Sequence, residues 1–183
     1  INTGAAADEK YVSLPKVDSI QTIMLSRFQP KKGIDLLEIS FADHEKIENL
    51  NNPYRTVQQI SATKPYVAVF LGSKKDFTGK DLTELKDVRN QVVSIDMGNS
   101  NVKDDDLKNL TLFPHVQKLH LQNMPIGDEG VKQLRDLRYL DVLNLSGTKV
   151  SARTLDEVAG WKSLKKLFLY NTAVPDDAVK SLR

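Results

Sequence analysis

From Val92 onward the apolar residues return every 24 positions, and this stride constrains what the chain can fold into more than any other feature. Val92, Val116, Leu140 and Leu164 form one column, Ile95, Leu119, Leu143 and Leu167 a second, and Met97, Leu121, Leu145 and Leu169 a third. Val102, Ile126, Val150 and Val174 make the fourth, followed by Leu107, Val131, Leu155 and Val179, and then by Leu110, Leu134, Val158 and Leu182. Phe113, Leu137 and Trp161 close each unit except the last. A degenerate copy precedes them with Tyr66, Val69, Leu71, Phe77, Leu82, Leu85 and Val88, one residue longer between strand and loop. Seven apolar side chains per unit contribute roughly 2 kcal/mol each when covered. An isolated unit leaves about half of that area wet. The shortfall, roughly 7 kcal/mol, is comparable with the whole net stability of a domain, about 5–15 kcal/mol, so the units are expected to fold only by stacking.

A period between 20 and 29 carrying L-x-x-L-x-L is the leucine-rich-repeat pattern, in which each unit gives one short strand, a turn, and a helix or 3-10 segment that returns outside. The expected fold is α/β: a leucine-rich-repeat solenoid with parallel strands on the concave face, helices outside, and an irregular N-terminal cap. Regular units start at 92, 116, 140 and 164, and the repeat region spans 66–183. Residues 18–65 read as an irregular repeat or cap. Leu36, Ile39 and Phe41 match the strand spacing, and Ile47, Leu50, Val57 and Ile60 fit helical turns broken at Asn51-Asn52-Pro53. Asp18-Ser19 ahead of Ile20, Ile23, Met24 and Phe28 suggests a capped helix, with a strand over 20–25 as the alternative. Residues 1–17, small and polar, read as a flexible leader, and a first residue other than Met suggests a piece of a longer chain.

Local chemistry agrees with the units. Ser151 suits a helix N-cap and Pro175 a first helical position, while Asp104, Asp128 and Asp176 place negative charge at positive helix ends. Asn99, Asn123 and Asn171 recur just after the strands and read as turn-forming.

The segments Met124–Val131 (M-P-I-G-D-E-G-V) and Thr148–Leu155 (T-K-V-S-A-R-T-L) resemble the bacterial T-x-V-T-D-x-G-L type of repeat, of the ribonuclease-inhibitor-like class. Leu119-His-Leu, Leu143-Asn-Leu-Ser-Gly-Thr148 and Leu167-Phe-Leu-Tyr-Asn-Thr172 are similar to the repeat module of certain bacterial envelope proteins that also carry c-type cytochrome domains. The resemblance implies an exported protein, periplasmic or attached to the cell envelope, with a non-catalytic recognition or scaffolding role. With no cysteine and so no Cys-x-x-Cys-His, haem does not carry over to these residues. Met124 and Ser100 stand where that family favours threonine, and Ala152 where it favours aspartate.

Charge narrows the partners. Lys+Arg of 26 against Asp+Glu of 24, interspersed, argues against nucleic acid. No apolar run approaches the roughly 18 residues of a membrane span. His44 and His115 fall outside metal-ligand spacing, Asp104-Asp105-Asp106 lacks the offsets of a calcium loop, and Gly72-Ser-Lys-Lys75 is too short for a phosphate loop. No cofactor is expected.

Strand alternation turns the residues between the consensus positions onto the concave face. Three rows result: Ser94, Lys118, Val142 and Lys166; Asp96, His120, Asn144 and Phe168; Gly98, Gln122, Ser146 and Tyr170. Asp96, Lys118, His120, Gln122, Asn144, Lys166, Phe168 and Tyr170 are the candidate binding residues. The leading reading is recognition of a protein or an upstream domain, with carbohydrate binding through aromatic and amide groups as the alternative. Acid/base chemistry at Asp96 and His120 is a distant third, since no nucleophile or oxyanion arrangement accompanies them. A solenoid end without a cap also allows homodimer contacts.

Overall fold

The computed structural model describes residues 33–72 and 79–180. The expected leader at 1–17, the helix or strand at 18–28, residues 73–75 of the short basic motif, and Phe77 and Leu182 of the apolar columns lie outside the described residues. Residues 1–36 and 37–183 form two compact units. The first shows a short 3-10 turn, Gly33–Leu36, and the second holds the repeats.

In the second unit, helix α1 (His44–Asn49) starts at Asp43, whose carboxylate accepts the Glu45 N–H at 2.9 Å. The expected run of helical turns stops there, and Val57 belongs instead to strand β1 (Arg55–Gln59). Asn51 explains the switch. Its Oδ1 accepts the Val57 N–H at 2.6 Å, and its Nδ2 donates to the carbonyls of Ile47 and Val57, so one side chain clamps helix end to strand. The strand expected from Leu36, Ile39 and Phe41 is also absent, for 37–43 carries no regular element and Phe41 is 52% exposed. Spacing alone was matched there, without a neighbouring coil to bury the ring.

Strand β1 runs antiparallel to β2 (Val67–Leu71), and from β2 every pairing is parallel, through β3 (Val92–Asp96), β4 (Lys118–His120), β5 (Val142–Asn144) and β6 (Lys166–Phe168). The six strands lie in chain order. The returning segments are α2 (Lys80–Thr83) with a 3-10 helix at Glu84–Val88, a 3-10 helix at Asp104–Leu112, then α3 (Asp128–Lys132), α4 (Ala152–Val158) and α5 (Asp176–Lys180). This is a leucine-rich-repeat solenoid of α/β class, with β1 covering one sheet edge. Arg55 fixes that edge: it is buried, donates to the Leu50 carbonyl at 2.7 Å and pairs with Glu84 at 2.8 Å.

The register lays Ile95, Leu119, Leu143 and Leu167 side by side. Ile95, Leu119 and Leu143 are fully buried, whereas Leu167, in the last described strand, is only partly covered, as are Leu164, Leu169 and Val174. A coil's inner residues lose their water when the next coil arrives, which is the stacking requirement seen directly.

Turns repeat as faithfully as the core. Asn99, Asn123, Gly147 and Asn171 occupy the same place in successive units with φ of 64°, 56°, 70° and 54°. Asparagine tolerates this left-handed region and glycine adopts it freely. Gly147 has a second reason, since a Cβ there would collide with the Asn123 side chain. Asn123 Nδ2 in turn donates to Asn99 Oδ1 at 3.0 Å.

The aspartates do more than complement helix ends. Asp104 Oδ1 accepts the Gly127 N–H of the following unit at 2.8 Å. Asp128 Oδ1 accepts the Ser151 N–H at 2.8 Å and the Thr154 hydroxyl at 2.6 Å, while its Oδ2 accepts the Ser151 hydroxyl at 2.6 Å. Each carboxylate therefore latches one coil to the next. Ser151 also caps α4, accepting the Arg153 N–H at 3.3 Å. Pro175 stands one residue ahead of α5 rather than at its first position, where its carbonyl accepts from Ala178 and Val179.

Candidate functional site

The face of the sheet opposite the buried columns is assembled by register. Ser94, Lys118, Val142 and Lys166 align, as do Asp96, His120, Asn144 and Phe168. The third row, two residues further along, continues the hydrogen-bond ladder: Asn99, Asn123 and Gly147 N–H groups donate to the carbonyls of Gln122, Ser146 and Tyr170. Neighbouring side chains in a row are separated by about 4.8 Å.

The centre of this face is a polar strip whose members are tied to one another. Asp96 Oδ1 accepts the Gly98 N–H at 3.0 Å and Gln122 Nε2 at 3.3 Å. Gln122 Oε1 accepts from Asn144 Nδ2 at 3.4 Å, and Asn144 Oδ1 accepts the Ser146 N–H at 3.0 Å. Because a carboxylate only accepts, the orientation of the Gln122 amide follows from Asp96, and that of Asn144 follows from Gln122. Gly98 makes room for this, since a Cβ there would overlap the Gln122 side chain. His120 lies beside Asp96 across the strands, and Asp96 Oδ1 is directed at Gly98 and Gln122.

Around it stand groups with open surfaces. Phe168 is 48% exposed and Tyr170 85% exposed. Lys118 and Lys166 are exposed, and neither is paired with a carboxylate among the described residues. The sequence pattern missed one member, Phe70, which pairs in register with Asp96 and is 42% exposed. The middle row therefore reads Phe70, Asp96, His120, Asn144, Phe168. Phe70 precedes Asp96 by 26 residues, not 24: Val67 already pairs with Val92 at an offset of 25, and a register shift between Val67 and Ala68 adds one more. The signal available was alternation, since inward Val69 and Leu71 leave the residue between them outward.

The remaining histidines have structural partners or solvent. His115 Nδ1 lies 2.7 Å from the Asn90 carbonyl and its ring meets Tyr139 edge to face at 5.9 Å. His44 is on the exposed side of α1, 3.9 Å from Glu48. Just ahead of β3 and β4 is a cleft of about 250 Å³ lined by Leu37, Glu38, Ile39, Ser40, Asn90, Gln91 and His115. Gln91 Nε2 donates to the Ser40 carbonyl there at 3.0 Å, closing the coil against the sheet. Among the described residues no group of three or more His, Asp or Glu is placed to hold a metal ion, and no helix is long and apolar enough to cross a membrane.

No protein-family model and no curated protein matches this chain. Among solved structures it is similar to an internalin from Listeria monocytogenes, with 22% identity, a TM-score of 0.47, and coverage of 61% of this chain and 31% of that one. It is also similar to pollen receptor kinase 3, at 15% identity and TM-score 0.43, covering 82% of this chain and 71% of the other. A third is the leucine-rich-repeat ectodomain of the receptor kinase SOBIR1 from Arabidopsis thaliana, at 8% identity and TM-score 0.32, covering 74% and 99%. The chain thus spans about a third of the internalin's length. What makes this chain a leucine-rich-repeat solenoid is its own geometry: parallel strands in chain order, one per 24-residue coil from β3 on, with the leucine columns inside.

Proposed function

We propose that this chain is a non-catalytic recognition module of the bacterial cell envelope that binds a protein, or another domain of its own precursor, through the open strand face. The observation that carries the reading is the pair Phe168 and Tyr170, 48% and 85% exposed on a rigid registered surface beside Lys166. Large aromatics of this kind are enriched at protein contacts and carry much of their binding energy. The envelope location rests on the resemblance of the repeats. Binding of a carbohydrate through amide side chains is less favoured, because Gln122 and Asn144 already direct part of their hydrogen-bonding capacity to Asp96, to each other and to Ser146.

Photo-crosslinking in native envelopes tests this. A crosslinker at Asn144 should capture a discrete protein, one at Arg153 on α4 should not, and the capture at Asn144 should vanish when Phe168→Ala and Tyr170→Ala are combined. Equal capture from both positions, or capture indifferent to the double substitution, would show that the face is wrongly assigned.

A further inference from the structure

Resting on that reading, we infer that the strand face takes an extended segment of its partner, with apolar anchors at positions i and i+6 and a carboxylate at i+4. Phe70 and Phe168 stand four strands apart in one cross-strand row, which continues past Phe70 to Thr56 on β1, and each is nearly half exposed. Four strand spacings of about 4.8 Å separate them by roughly 19 Å, and an extended chain advances about 3.3 Å per residue, so six residues bridge the gap. The offset must be even. Side chains of an extended segment alternate, and only an even offset turns both anchors toward the same sheet.

Charge fixes what lies between the anchors. Lys118 and Lys166 flank the row on one side, two residues ahead of His120 and Phe168 along their strands, with no carboxylate partner among the described residues. The acidic group in the row, Asp96, has an oxygen held by Gly98 and Gln122. Partner residue i+2 comes down next to Asp96, and i+4 falls between His120 and Asn144, within reach of Lys118 and Lys166. A carboxylate at i+4 meets unpaired ammonium groups, whereas a lysine there would meet like charge.

The test uses fluorescent peptides against the whole chain. The probe has leucine at positions one and seven, glutamate at five, and serine elsewhere. One control lacks a single inner serine, and another replaces the glutamate with lysine. The probe should bind about tenfold tighter than either control, and Phe70→Ser or Phe168→Ser should each weaken it about tenfold, the loss of one buried anchor. Lys118→Glu should invert the preference between glutamate and lysine peptides. Melting temperatures of the variants confirm that the sheet persists. Equal binding of the probe and the shortened peptide, or no binding of the probe at about 1 mM, overturns the inference. If crosslinking still places a protein on this face in that case, the recognition reading survives and the spacing rule alone falls.

Discussion

Replacing Asp128 with alanine removes a carboxylate that serves the next coil three times. Its loss leaves the Ser151 N–H and the Thr154 hydroxyl without their acceptor, and Thr154 is 0% exposed, so water cannot substitute there. A buried polar group left unpaired costs about 1–3 kcal/mol. The half-buried Ser151 hydroxyl can turn to solvent. The sum is about 3 kcal/mol, a large share of the roughly 5–15 kcal/mol that holds a domain together. In a chain of this size each kcal/mol moves the melting temperature about 2–4 °C, so Asp128→Ala should lower it by about 6–12 °C. Asp104→Ala, which loses one bond to Gly127, should cost about 1 kcal/mol. The sequence supplies its own control: Ala152 occupies the aspartate position where the latch would have to reach Pro175, and proline has no N–H. Ala152→Asp should therefore gain less than about 0.5 kcal/mol. Urea midpoints for the three variants decide the matter. A neutral Asp128→Ala, or an Ala152→Asp that stabilises as strongly as Asp128 does, would refute the latch.

The same carboxylate links stability to acidity: burial acts to raise its pKa, but hydrogen bonds from the Ser151 hydroxyl and N–H and from Thr154, with the Arg153 charge, outweigh this and hold it lowered. A lowered folded-state pKa gives stability that is present above the unfolded value, near 4, and fades as pH falls through the folded one; the stability gap between the parent chain and Asp128→Asn should accordingly narrow below about pH 4 in denaturant titrations. Leu143→Ala should cost about 2–5 kcal/mol by opening a cavity in a fully buried column, whereas His120→Ala should stay within about 0.5 kcal/mol, and matching unfolding midpoints would contradict the inward and outward assignment. Thr148 donates to the Leu145 carbonyl at 2.6 Å while the buried Ser100 hydroxyl, one of the same column, has no partner, so Thr148→Val should destabilise by about 1 kcal/mol and Ser100→Ala should be neutral or stabilising; equal losses in calorimetry would count against the contrast.

What was legible in the sequence, and what was not, follows from how a solenoid stores information. Comparing like with like at a stride of 24 finds the pairs Leu119 with Leu143 and Asn99 with Asn123, and it orders the strand-face rows. It is blind to diagonal contacts. The latches run from 104 to 127 and from 128 to 151, an offset of 23, while Asp96 reaches Gln122 and Phe70 aligns with Asp96 at an offset of 26. The strand spacing of Leu36, Ile39 and Phe41 and the helical turn expected at Val57 do not hold for a related reason: without a repeating neighbour, apolar spacing cannot distinguish a stacked strand from a coil, and the direction of the chain is decided by the side-chain clamp of Asn51.

Diagonal contacts also change what a departure from consensus means. Ala152 alone looks like erosion of the repeat. Beside Pro175, whose missing N–H removes the need for an acceptor, it leaves no donor unsatisfied: Ala152 is exposed, and a carboxylate there would stay hydrated with no latch to make. Gly130 tells the same story from the other side, because a Cβ at that position would collide with the Asp104 carboxylate that serves Gly127. What a substitution meets in such a chain is therefore the seam between two coils as well as the coil itself. Substitutions should be tolerated or rejected according to the residue 23 positions away, even when the column 24 positions away is unchanged.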